Sequence, residues 1–179
     1  STWERRASMT LTRELKRRGV NVIARTAVDR VDTGANLGAT VHYRQGDSDE
    51  DRTAYGEVVL AAIGRVPNTD ADWFRSSGLK LDERGYVTVD GYGRTNLDGV
   101  WALGDITPGH ALAHRAFEQG ITIAEKIAGA DPKPVIDDTV PQVVFSFPEA
   151  ASVGLTLDLA KALEDVVEPK ETAYPMLSN

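Results

Sequence analysis

The sequence has 179 residues, 41% hydrophobic and 26% charged, the balance of an ordinary globular chain with room for one large domain or parts of two. Its formal charge of −7 disfavours a nucleic-acid or anionic-membrane partner. With no cysteine there is no disulfide framework, no cysteine–zinc site and no dithiol chemistry by this chain alone, and no apolar run approaches the ~20 residues of a membrane span.

In chain order, residues Thr2 to Arg18 predict a helix, because Trp3, Ala7, Leu11, Leu15 and Arg18 recur at near four-residue steps among charged neighbours. Gly19 is placed to end it, since glycine tolerates a left-handed backbone. The β-branched run Val20-Asn21-Val22-Ile23 predicts a strand, and two more are expected around Ala27–Asp32 and Ala39–Arg44. Gln45–Thr53 is polar and acidic, the composition of a solvated hairpin tip. His42, in a polar strand, is expected to face solvent.

Glu57–Gly64 reads Glu-Val-Val-Leu-Ala-Ala-Ile-Gly, a continuous apolar run suited to a strand buried on both faces. Tyr86–Val89 and Gly99–Leu103 are shorter strand candidates. Ala111–Ala128 predicts a helix with Leu112, Phe117, Ile121, Ala124 and Ala128 near one face, ended by Gly129 and Pro132. Asp131–Pro141 holds three prolines and three aspartates and reads as a domain boundary. Beyond it, Gln142–Ser146 predicts a strand and Leu157–Leu163 a short helix. Alternation of helices with buried strands before Pro132 argues an α/β domain, and the strand after it belongs to another unit.

The sharpest chemical signal is Thr95-Asn96-Leu97-Asp98-Gly99-Val100-Trp101-Ala102-Leu103-Gly104-Asp105. A short apolar strand ending in Gly-Asp leaves a carboxylate at the strand's carboxyl end, where open α/β sheets bind ligands. The carboxylate can accept hydrogen bonds from a ligand hydroxyl, while the glycine permits close approach. Taken alone, such a Gly-Asp is more often a simple turn. His110 and His114 have a spacing that can ligate zinc, but no glutamate follows the first histidine and no third ligand is evident, so no metal site is expected. Arg65, at a strand end, reads as a structural ion pair rather than a phosphate ligand.

Three stretches together, Ala62-Ile63-Gly64-Arg65-Val66-Pro67-Asn68, the Gly104-Asp105 strand end and Gly109-His110-Ala111-Leu112-Ala113-His114-Arg115-Ala116, resemble the FAD/NAD(P)-linked disulfide oxidoreductases. A fourth, Phe147 to Thr156, resembles the family's entry into its dimerisation domain. Leu112-Ala113-His114 favours the dihydrolipoamide dehydrogenase branch. The resemblance runs collinearly over essentially the whole chain. It implies an α/β fold of partial Rossmann-like FAD/NAD(P)-binding domains with the start of an α+β dimerisation domain. Residues 1–66 would be the latter part of the NAD(P) domain, 67–137 the central FAD segment, and 138–179 the start of the dimerisation domain.

The resemblance also implies roles. Asp105 matches the aspartate that binds the ribityl chain of FAD, and Ala111, Leu112, Ala113 and His114 match residues at the isoalloxazine edge. Gly64 matches a strand-end residue against the nicotinamide dinucleotide, and Val28 a position near its adenine. The N-terminus of the helix there carries partial positive charge and free N–H groups, suited to stabilising reduced flavin. The implied cofactors are FAD and NAD, with NADP equally open. The implied reaction is oxidation of dihydrolipoamide through a cysteine pair and FAD. The implied setting is a cytoplasmic homodimer, with a 2-oxoacid dehydrogenase complex as partner.

The family's Gly-x-Gly-x-x-Gly fingerprints, redox cysteines and C-terminal His-Pro base are absent from the sequence. Residues 1–179 are therefore expected to be a portion of a longer protein, inactive alone and poor at binding FAD. Mycothiol, glutathione and mercuric reductases, a cysteine-free quinone reductase, and a non-catalytic dimerisation remnant are the alternatives.

Overall fold

The computed structural model describes residues 3–34, 38–163 and Lys170. Unit boundaries fall at Ser8/Met9 and Gly64/Arg65, giving a unit of Met9–Gly64 and a second in which residues from Arg65 onward are joined by the first eight.

Helix α1 spans Arg5–Arg17, within the expected Thr2–Arg18. Trp3, Ala7 and Leu11 are half-buried, as the four-residue step requires, and Gly19 terminates the helix at φ 83°. In the last turn Glu14 receives hydrogen bonds from Arg17 and Arg18 at 2.9 and 3.0 Å. These two guanidinium groups hold its carboxyl well below the usual carboxylate range, at about 2.

The rest of the Met9–Gly64 unit is an antiparallel meander, β1 (Thr26–Thr33), β2 (Ala39–Gln45) and β3 (Arg52–Gly56), in the order β1-β2-β3. The hairpin tip expected at Gln45–Thr53 is present, and it leads into β3, which the polar composition concealed. β1 pairs with β2 through Val28↔Tyr43 and Arg30↔His42, with a bulge between them. His42 is not solvated. Its side chain is mostly buried, with Nε2 3.0 Å from Asp32 and Nδ1 3.2 Å from Asp51, and Arg30 within 2.9 Å of the ring. The polar strand hides a charge network rather than a wet face.

Two expected strands do not form. Val20–Ile23 and Glu57–Gly64 run without ladder partners among the described residues. Every residue of Glu57–Gly64 is exposed, Leu60 at 87% and Ile63 at 94%. The cause is general: a strand exists through its neighbours, and a central strand of a parallel sheet needs one on each side.

The second unit is built around Phe74, Val87 and Ala102, with Leu79, Leu81, Val89 and Ile106 packed against them. Val87 is 0% exposed. Tyr86–Val89 and Gly99–Leu103 contribute only the isolated antiparallel bridges Leu81↔Val87 and Arg94↔Trp101. Two aspartate turns shape this region. Asp82 Oδ1 accepts from the N–H groups of Arg84 and Tyr86, and Asp90 Oδ1 from those of Tyr92 and Arg94. The Gly91-Tyr92-Gly93 step thus belongs to a side-chain-capped turn. A one-turn helix, α2 (Asp72–Arg75), supplies Phe74.

Helix α3 spans Ala113–Ile127. Its buried residues are Arg115, Thr122 and Ile123, while Phe117 is 71% exposed and Ile121 and Ala124 face outward. The apolar face expected to pack is therefore the exposed one. The inward face instead meets a loop rich in backbone polar groups, which need donors and acceptors more than methyls. After a 3-10 turn at Asp137–Thr139, β4 (Gln142–Val144) pairs antiparallel with β5 (Ala150–Ser152), and α4 (Leu157–Lys161) follows. Thr156 caps α4 by accepting from the Leu159 N–H. The strand expected over Gln142–Ser146 stops at Val144, and Phe145 and Phe147 are exposed in the connection to β5.

Candidate functional site

Asp105 lies in the 3-10 turn Gly104–Ile106, at the end of the extended segment from Val100. Three bonds shape the turn's approach. The Gly104 N–H donates to Gln119 Oε1 of α3 at 2.9 Å, and the Gly104 carbonyl accepts from the Thr107 hydroxyl at 2.8 Å. The Val87 N–H donates to the Ile106 carbonyl at 2.8 Å, joining the turn to the core. The carboxylate itself projects outward, 57% exposed. Its ionic neighbour is Arg65, with NH1 3.7 Å away and the side chain 81% exposed. The ion pair expected for Arg65 is thus present; at this exposure such pairs contribute ~0–1 kcal/mol.

Eight residues beyond Asp105, α3 begins. Its N-cap residue, Leu112, is extended and has no side-chain oxygen, so no side chain caps the first turn. The N–H groups of Ala113, His114 and Arg115 precede the first i→i−4 bond, made by the Ala116 N–H to the Leu112 carbonyl at 3.1 Å. Donors without an intrahelical partner and the helix dipole together suit an acceptor-rich or anionic group. Ala111, Ala113 and His114 are exposed and Leu112 is half-buried. The His114 side chain is engaged elsewhere, Nε2 donating to the Pro141 carbonyl at 2.7 Å, so its backbone N–H is what it offers at the helix start.

The loop between Asp105 and α3 is stitched to the segment that follows the helix. Arg115 Nε donates to Asp137 Oδ1 at 2.6 Å, and its NH2 to the Pro108 carbonyl at 2.7 Å. The Gln142 amide donates to His110 Nε2 at 3.0 Å. Gly109, at φ 119°, has no room for a side chain: a Cβ there would run into the Arg115 guanidinium and the Asp137 carboxylate. A recess of about 420 Å³ lies beside this segment, lined by His110, Asp137 and Gln142, and another of about 810 Å³ lies between the segment and α3, lined by His114, Thr122, Lys133 and Val143.

Asp105 and Ala111–His114 therefore share one continuous, hydrogen-bonded stretch of the second unit. Val28 and Gly64 belong to the first. Val28 is an exposed residue of β1 beside the bulge, and Gly64 ends the exposed apolar segment at φ 145°. Sequence reasoning missed Gln119, Arg115 and Asp137. Their signal was weak but real: a charged and an amide residue on the side of a helix opposite its apolar stripe. Among the described residues no cluster of histidine and carboxylate side chains could hold a metal, and no helix is long and apolar enough to cross a membrane.

Comparisons with known proteins identify the family. Residues 1–120 match the family model for pyridine nucleotide-disulphide oxidoreductases. A dihydrolipoyl dehydrogenase from Cupriavidus necator is 38% identical over 168 residues, 93% of this chain and 34% of that protein. One from Geobacillus stearothermophilus is 37% identical over 183 residues, covering 100% of this chain and 37% of the relative. Among solved structures, LpdA from Mycobacterium tuberculosis superposes with a TM-score of 0.77 at 31% identity, covering 89% of this chain and 33% of that one. The chain thus spans about a third of the length of the curated relatives it matches. Family match, fold and collinear motifs converge, and the chain belongs to the pyridine nucleotide-disulphide oxidoreductase family.

Proposed function

We propose that this chain supplies part of the cofactor machinery of a dihydrolipoamide dehydrogenase, with residues 1–66 on the NAD(P) side, 67–137 on the FAD side and 138–179 opening the dimerisation domain. The observation that carries the reading is the Asp105-to-α3 stretch. It combines an outward carboxylate, able to accept from ribityl hydroxyls, with an uncapped helix start able to donate to the flavin edge. These are the donor and acceptor types that FAD requires, in the order the family motif has them. Asp105 would bind the ribityl chain, and the backbone of Ala111–His114 would face the isoalloxazine. Gly64 and Val28 would serve the nicotinamide dinucleotide. Bound there, FAD supplies two-electron transfer between a dithiol and NAD.

The dihydrolipoamide branch is favoured over other disulfide reductases by Leu112-Ala113-His114 and by relatives that are dihydrolipoyl dehydrogenases. The same proposal includes a cytoplasmic homodimer. In the full-length protein, Asp105→Ala is expected to weaken FAD retention about 10- to 100-fold, because a charge-assisted hydrogen bond contributes ~1.5–3 kcal/mol. Flavin absorbance per chain after dilution and gel filtration measures this. Full occupancy in the variant would remove Asp105 from the flavin site.

A further inference from the structure

We infer that Arg115 is a positioning residue for the flavin site, holding the Asp105 turn and the start of α3 at a fixed separation through the Pro108 carbonyl and Asp137. The inference rests on the flavin reading above. Its grounds are geometric. The Arg115 side chain is 6% exposed, an unusual place for a guanidinium on a helix whose opposite face leaves Phe117 in the open. It reaches back from the first turn of α3 to the Pro108 carbonyl in the loop that precedes the helix, and forward to Asp137.

Gln119, one turn further along the same face, holds the Gly104 N–H. Residues 104–108 are therefore pinned to α3 at both ends, and Asp105 lies between the pins. Gly109 fits the same arrangement, since any side chain there would displace the guanidinium. The His110–Gln142 and His114–Pro141 bonds tie the segment that follows Asp137 to the loop and to the start of α3. The guanidinium's NH1 has no hydrogen-bond partner among the described residues. A buried cation with an unsatisfied N–H is costly as a packing device alone. A planar fork that bridges two segments is what an arginine provides and a lysine does not.

The test uses the full-length protein and two variants, Arg115→Lys and the nearly isosteric Asp137→Asn. Lysine keeps the charge but replaces the planar fork with donors on a single nitrogen. With the helix start less firmly aimed, preference for reduced over oxidised flavin is expected to fall about tenfold in Arg115→Lys. For a two-electron couple that is a shift of about 30 mV to more negative potential. Asp137→Asn should shift in the same direction by less. A residue that merely stabilises the fold would lower the melting temperature while the bound flavin kept its potential. An unchanged potential in flavin-loaded variants therefore overturns this inference and leaves the functional reading intact. A wild-type protein that carries no flavin overturns both.

Discussion

The two units treat their apolar sequence in opposite ways. In the Met9–Gly64 unit, β1, β2 and β3 close on one another through short connections, while the most apolar run in the unit, Val58–Ile63, lies exposed and has no strand partner among the described residues. In the second unit, sparser apolar residues such as Phe74, Val87 and Ala102 find one another and are buried. Hydrophobicity alone does not decide burial. An antiparallel hairpin brings its own partner, and a doubly covered parallel strand depends on distant segments for both its ladder and its covering layers.

The largest effect that would break this comparison is a pair of truncations in the 179-residue chain. Phe74→Ala removes a ring from the second unit's core and should cost about 3–5 kcal/mol. Leu60→Ala alters a side chain already in water and should stay within about 0.5 kcal/mol. Denaturant unfolding of both variants measures the contrast. Comparable losses would mean that Val58–Ile63 is packed and that the two units do not differ in this way.

The smallest effect concerns α1. Glu14 titrates at about 2 because Arg17 and Arg18 stabilise its charged form, below its ordinary value of 4.5. A depressed folded value contributes stability that is fully present above the ordinary value and is lost as pH falls toward the folded one. The difference in stability between wild type and Glu14→Gln, followed by circular dichroism, should therefore be present at pH 5.5 and fade between about pH 4.5 and pH 2. A difference independent of pH would show that the carboxylate is not held by these arginines.

Legibility followed the same division. Elements whose pattern is satisfied locally were readable: α1 from its four-residue step, Gly19 as its stop, β1 and β2 as strand candidates on either side of a short connection, and α4 as a short helix from Leu157. Elements that depend on long-range partners were not. Glu57–Gly64 has the composition of a buried strand and no described neighbour to make it one, and Val87 was readable as apolar but not as the centre of a core. For the candidate site, Asp105 and Ala111–His114 stood out because their order is fixed by motif. Arg115, Gln119 and Asp137 did not, because their importance comes from bonds to a loop and a later segment that no local period encodes. His42 failed for the same reason, since the carboxylates around it come from β1 and from the residue preceding β3.

Whether a protein carrying this segment holds flavin through it is the most direct question to measure. Purified without added cofactor, the full-length protein should show the flavin absorbance bands at one FAD per chain, bleach on anaerobic addition of dihydrolipoamide, and recover with NAD. A colourless protein, with no flavin released on denaturation and none taken up when FAD is supplied, would contradict it.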